Sequence, residues 1–140
     1  PHVRALINPR QSAPIAYVDS PLNAGEDADW VSALAAPGAP APEALLLGEQ
    51  GGFHLSQRYG AGFVCLVFGG PAPAMPPDVQ ALTITPAMDM HGQAWQRHGL
   101  RHANEAALVL VRPDGYVMGR WHGLDPAPVA RALQSTGVIA

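Results

Sequence analysis

The chain has no lysine and a single cysteine, Cys65, and each shortage excludes something. All eight basic residues are arginines, scattered from Arg4 to Arg131, and the net charge is −3. A nucleic-acid partner requires a basic stripe or cluster, so none is expected. A lone cysteine closes no disulfide within the chain, which fits a reducing, cytoplasmic setting. Long apolar runs are missing too. None approaches the roughly 20 residues a membrane helix needs, and no charged-then-apolar leader opens the chain, so no membrane partner is expected. Charged residues make up only 14% of the chain against 48% hydrophobic, a balance that favours folding over disorder. A chain of 140 residues forms one domain and buries roughly two-thirds of the surface its unfolded form exposes.

What is abundant is punctuation: 15 prolines and 15 glycines. In residues 1–36, Pro9, Pro14 and Pro21 interrupt every long helix, which predicts an extended arm. Its apolar residues Leu6, Ile7, Ile15, Tyr17, Leu22 and Trp30 are too many for a free linker, so the arm is expected to lie against something. "PGAPAP", residues 37–42, reads as a stiff connector into the compact part, residues 37–140. The chain begins at Pro1 and not at methionine, which a processed start and a segment of a longer protein would both explain.

The compact part opens with a short apolar run, residues 45–47, and a "GEQGG" turn. A helical turn is predicted at "SQRYG", with Ser56 as cap and Gly60 as stop. In "GFVCLVFGG", Phe63, Cys65 and Val67 fall on one face and Val64, Leu66 and Phe68 on the other. A strand apolar on both faces is a central strand. "GGPAPAMPP" is a loop, because its prolines cannot hold a helix. "VQALTIT" predicts a second strand, ended by Pro86. "DMHGQAWQRHG" predicts a turn and a short helix over residues 93–98.

"ALVLVRPDGYVMGRW" then carries the signature of a buried hairpin. Leu108 and Leu110 face one way and Val109 and Val111 the other. Pro113 pre-sets a type I turn and Gly115 takes the left-handed position that forms a bulge. Gly119 invites a bend or a close approach in the return strand. A last helix has Asp125 as cap, Pro126 at its first position, Val129, Ala132 and Leu133 on one face, and Gly137 as stop. The fold class is α/β (α+β-like): a mixed sheet flanked by helices, with an N-terminal arm.

No residue of this pattern announces catalysis. Cys65 sits inside a central strand and reads as a small buried hydrophobe. His91, His98, His102 and His122 lie close in sequence, but spacings of seven and four make no zinc motif; they read as exposed or hydrogen-bonded side chains. "GAGFVC" lacks the third glycine of a dinucleotide fingerprint and precedes its strand instead of following it. Asp89, Asp114 and Asp125 occupy turn or cap positions. No Ser-His-acid set can be assembled. Catalytic, cofactor-binding and metal-binding residues are therefore all expected to be none. Trp95 and Trp121 read as core residues, and Trp30, in the arm, as the best interface candidate.

Taken together, "GFVCLVFGG", "VQALTITP", "DMHGQAWQRHG" and "AALVLVRPDGYVMGRW" resemble the C-terminal thioredoxin-like domain of FAD-dependent aromatic-ring monooxygenases, the phenol hydroxylase and 3-(3-hydroxyphenyl)propionate hydroxylase group. Asp89, Gly92, His98 and Gly99 sit where that family has its turn and helix before the hairpin. "NPRQSAPIAYVDSPLN" is similar to the segment leading out of the flavin and substrate region. One departure stands out: residues 70–77 form a proline-rich loop where the family often has a helix. The resemblance implies a thioredoxin-like fold without the C-x-x-C redox site, since "GGPAPAMPP" holds no cysteine. It further implies FAD and NAD(P)H in the parent enzyme, a phenolic substrate, and an upstream flavin and substrate domain of the same polypeptide as partner, with a homodimer as a further expectation. The alternatives are a freestanding thioredoxin-like binding module and a single-cysteine redox module acting through Cys65.

Overall fold

The computed structural model describes residues 25–27, 30, 34–89, 91–101 and 105–135. Leu6, Ile7, Ile15, Tyr17 and Leu22 of the arm, His102 and Gly137 lie outside the described residues. The strands are β1 (Gly25–Glu26), β2 (Leu45–Gly48), β3 (Gly51–His54), β4 (Phe63–Phe68), β5 (Val79–Ile84), β6 (Ala107–Val111) and β7 (Val117–His122). Two α-helices accompany them among the described residues, α1 (Gln93–Arg97) and α2 (Ala127–Ser135). Five strands form one mixed sheet in the order β1-β7-β6-β4-β5. The outer pairs, β1 with β7 and β4 with β5, run parallel, and the inner pairs run antiparallel. The α/β mixed sheet read from the sequence is the one observed.

Period-two patterning decides which layer each side chain joins. Val64, Leu66 and Phe68 of β4 and Val109 and Val111 of β6 face a first layer with Leu46, Leu55, Trp95 and Leu100. Cys65 and Val67 of β4 and Leu108 and Leu110 of β6 face a second, closed by Met118, Val129 and Leu133. Each fully buried large apolar side chain contributes about 1.5–3 kcal/mol relative to exposure, so β4 and β6, buried on both faces, carry the centre of the fold. Phe68 meets Trp95 edge-on, ring centres 5.0 Å apart, an arrangement the ring quadrupoles favour.

The hairpin β6–β7 turns as its residues require. The amide of Gly115, at φ +86°, donates to the Arg112 carbonyl at 2.9 Å while the Arg112 amide donates to the Tyr116 carbonyl at 2.9 Å, which leaves Gly115 as the bulged residue. A second irregularity, the register shift between Leu110 and Val111, leaves Met118 as an extra residue in β7. Asp114 accepts from the Tyr116 amide at 3.2 Å and pairs with the Arg112 guanidinium. Asp125 accepts from the Ala127 amide at 3.0 Å and starts α2.

The crossover from β4 to β5 is unusual. Parallel neighbours are ordinarily joined by a dozen or more residues including a helix. Here residues 69–78, four of them proline, make the connection without one. Met75 packs into the second layer, and Gly70 lies so close to Leu124 that a Cβ there would come within 2.5 Å of its Cδ1.

Three local expectations need correction. The helical turn near residue 56 is a 3-10 turn over Leu55–Arg58, preceded by His54 and not capped by Ser56; the Gln57 side chain accepts from the His54 amide at 2.8 Å and organises its start. The last two residues of "GEQGG", Gly51 and Gly52, open a strand, β3, paired with β2, because their backbone groups find partners that their missing side chains could not signal. Residues 37–42 do not act as a spacer. Gly38 and Ala41 donate backbone hydrogen bonds to Val117 and Gly115, each at 2.8 Å, and Ala39 accepts from Val117 at 2.8 Å. The non-proline residues between the prolines thus pin this stretch to the hairpin.

Candidate functional site

Three places could hold chemistry: the end of β4, where a redox fold would carry its thiols, the histidines, and the sheet edge where the arm arrives. At the end of β4 the chain reads Gly69-Gly70-Pro71. A Cβ on Gly69 would stand 2.6 Å from the Glu105 carbonyl oxygen and 2.7 Å from Ala106 Cα. Two backbone segments therefore seal the place against each other. This glycine serves close approach of the chain to itself.

Cys65 is fully buried, and burial pushes its thiol up to about 12. A thiol so far from ionisation is a poor nucleophile. The histidines are dispersed. His91 is exposed, while His98 is fully buried with Nδ1 2.7 Å from the Ala94 carbonyl. That contact places the proton on Nδ1, and Nε2 has no partner among the described residues. Burial lowers the His98 pKa to about 4. Among the described residues, no three His, Cys, Asp or Glu side chains are grouped to hold a metal ion. No helix among them is long and apolar enough to cross a membrane.

Asp89 is nearly buried, and its two oxygens accept from the Ala94 and Trp95 amides, each at 3.0 Å. It satisfies the first turn of α1, a structural role. Beside it a cleft of about 490 Å³ is lined by Pro86, Trp95, Gln96, Leu100 and Arg101.

The third place is the most elaborate. β1 pairs with β7 over two residues, Gly25 with Gly119 and Glu26 with Arg120. Gly119 is required there: a Cβ would meet the Trp121 ring at 2.5 Å and the Gly25 carbonyl at 2.9 Å. Arg120 is buried, its Nε donates to the Glu26 carboxylate, and its Nη1 donates to the Leu34 carbonyl at 3.0 Å. The guanidinium lies 4.5 Å from the centre of the Trp30 ring, a cation–π contact. Trp30 in turn stacks on His122 and donates from Nε1 to Asp27 at 2.6 Å. Asp27 also accepts the His122 amide at 2.8 Å and lies 3.1 Å from its Nδ1, while Nε2 is 3.6 Å from Glu105.

This is a fastening and contains no nucleophile paired with a base. It places Trp30, the sequence's interface candidate, against the chain's own sheet edge, with Trp95 in the first layer and Trp121 half-buried against the second. Sequence reasoning missed Glu26, Asp27, Glu105 and Arg120. The available signal was Arg120 itself, a charge at an inward-facing position of a strand, which needs a buried partner.

No protein-family model matches the chain, and no curated protein sequence matches it. Solved structures do. Aklavinone-11 hydroxylase, in complex with FAD and aklavinone, is similar over 91% of this chain and 25% of its own, with a TM-score of 0.61 and 23% identity, a likeness of fold. The rebeccamycin biosynthetic enzyme RebC, solved with reduced flavin, is similar over 86% of this chain and 22% of its own, with a TM-score of 0.50 and 26% identity. The chain thus spans about a quarter of the length of the solved proteins it matches.

Proposed function

We propose that this chain is the thioredoxin-like C-terminal domain of a FAD-dependent aromatic-ring monooxygenase and that its role there is structural. The carrying observation is the likeness to RebC, a flavin enzyme, along most of this chain and about a fifth of that one. On this reading the parent uses FAD and NAD(P)H to insert one oxygen atom into a phenolic substrate, in the cytoplasm. Flavin, hydride donor and substrate are held upstream. The strand order β5-β4-β6-β7, with its antiparallel closing hairpin and final helix, supports the thioredoxin-like assignment. Sealed backbone at the end of β4 and the buried thiol of Cys65 support a domain whose redox site is gone. The arm, fastened through Glu26, Asp27 and Trp30, leads from the catalytic region and fixes this domain against it.

An immunoblot of the native source with antibody against this chain tests the reading. The expected band is roughly four times the mass of this chain, and the protein purified from it carries yellow flavin. A band at 14.7 kDa defeats the proposal, as does a larger protein without flavin.

A further inference from the structure

One side chain in the fastening of the arm faces a carboxylate at each end of its ring. His122 presents Nδ1 to Asp27 at 3.1 Å and Nε2 to Glu105 at 3.6 Å. Asp27 belongs to the arm, and Glu105 to the segment that enters β6. A neutral imidazole carries one N–H, so in either tautomer the lone pair of the other nitrogen confronts a carboxylate. Only the imidazolium, with two N–H groups, suits both neighbours at once. Trp30, stacked on His122 with ring centres 4.1 Å apart, adds an aromatic face that also favours a cation. Among the described residues, the other charged groups that meet this cluster are Arg120, Glu26 and Arg101. The Arg120 guanidinium lies against Trp30 and is a like charge for an imidazolium, but Glu26 pairs with it. Arg101 meets Glu105 through its backbone amide, which donates to the carboxylate at 2.8 Å. Glu26, Asp27 and Glu105 thus outweigh Arg120, and a proton on His122 reduces the excess of negative charge.

We infer that His122 is a proton-operated latch for the arm: protonated, it ties Asp27 and Trp30 to the end of β7 and to Glu105, and neutral, it lets them loosen. The arm is sensitive to this one group because β1 pairs with β7 over only two residues, which leaves much of the docking to side chains. Loss of the proton turns two ion pairs into one hydrogen bond and one repulsion. The His122 side chain is 28% exposed and that of Asp27 40%, so the proton is exchanged with water without unfolding the domain. Docking is therefore strongest where the imidazolium is populated and weakens as pH rises through the ordinary imidazole range. His98 acts with the opposite sign, since its burial makes acid unfavourable, and it acts on the packed first layer and not on the arm. Partly exposed ion pairs are individually weak, so the latch shifts the docked fraction of the arm and leaves the sheet intact. The inference stands on these contacts alone and is independent of the flavoenzyme reading.

Hydrogen exchange on the 140-residue chain, followed by NMR from pH 6 to pH 8, tests the latch. The protons to read are the two that Asp27 accepts, the Trp30 indole N–H and the His122 amide. Each is expressed as protection relative to free-peptide exchange at the same pH. Protection of both is expected to fall by about fivefold across the range, while the amides of β4 and β6 keep theirs. His122→Gln leaves a side chain that can hydrogen-bond Asp27 but takes up no proton. In that variant the Trp30 indole is expected to be less protected at pH 6 and to show no dependence on pH. Constant protection of both protons in the unaltered chain overturns the inference, and so does a fall that His122→Gln retains. A fall shared by the β4 and β6 amides overturns it too, because the whole domain is then responding. Should the variant fail to fold, the unaltered chain in about 0.5 M salt decides: screening of partly exposed pairs should shrink the fall, and an undiminished fall rejects the latch.

Discussion

The indole of Trp30 lies nearly parallel to the imidazole of His122, ring centres 4.1 Å apart and planes 20° from coplanar. The guanidinium of Arg120 lies 4.5 Å from the centre of the indole, so an aromatic ring from the arm is held by two side chains of β7. Two residues of strand pairing alone would not hold the arm, and these side-chain contacts supply what the short β1 lacks.

Glu26→Ala tests that fastening. Removing the carboxylate takes the Glu26 ion pair from the buried Arg120 guanidinium, and breaking a fully buried pair costs about 3–5 kcal/mol. Glu26 is itself 35% exposed, so water relieves part of the cost, and we expect a loss of about 1–3 kcal/mol in urea denaturation. Glu26→Gln, which keeps an acceptor, is expected to lose less. Equal midpoints for all three proteins would show that Arg120 does not depend on this carboxylate.

Gly119→Ala attacks the same edge from the backbone. The new Cβ would meet the Gly25 carbonyl at 2.9 Å, and although Trp121 can swing aside, the carbonyl belongs to β1. The expected outcome is release of the arm, seen as rapid limited proteolysis before residue 37, with a stability loss of about 1–3 kcal/mol. Gly69→Ala is the contrast. Its Cβ would strike backbone at 2.6 Å in the middle of the domain, at φ +84°, so a larger loss is expected without selective cleavage of the arm.

His98 makes stability depend on acid. Its folded pKa is lowered to about 4 by burial, against 6.5 for the ordinary side chain. Between these values the unfolded chain binds the proton that the folded chain refuses. Stability is therefore complete above about pH 6.5 and falls as pH drops toward 4, by up to about 3 kcal/mol. Urea midpoints measured from pH 7.5 to 4.5 should show this slope, and His98→Gln should flatten it. A slope retained in the variant would assign the effect to other groups.

Cys65 should be silent in the folded chain. With its thiol pushed up to about 12 and its side chain fully buried, reaction with a thiol reagent at pH 8 is expected at least about a hundredfold slower than for a free peptide thiol. Denaturation should restore the ordinary rate. Fast modification of the native protein would revive the single-cysteine redox reading.

Much of this fold was legible because its signals are local. The alternation in "FVCLVF" and "LVLV" assigns each side chain to a face whatever the rest of the chain does, and Pro113 with Gly115 dictates a reversal within four residues. Asp125 before Pro126 starts a helix wherever it stands. The strand β3 was hidden because Gly51 and Gly52 carry no side-chain pattern, and the 3-10 turn because its organiser, Gln57, is an ordinary polar residue until the His54 amide comes near.

The candidate site was hardly legible at all. Trp30 could be singled out as an aromatic in an arm, but Glu26, Asp27, Glu105 and Arg120 are unremarkable charges in one dimension. The sequence by itself determined which residues are strands, which faces are apolar, and that Cys65 lies in a central strand, because backbone propensity and side-chain periodicity act over a few bonds. Only the tertiary structure decided that the arm closes on β7 and that Gly69 seals the end of β4. It alone also shows that β1 and β5 are the outer strands of the sheet among the described residues. Those facts depend on pairings between distant segments, and a pairing is set by the free energy of the whole packed sheet and not by any stretch within it.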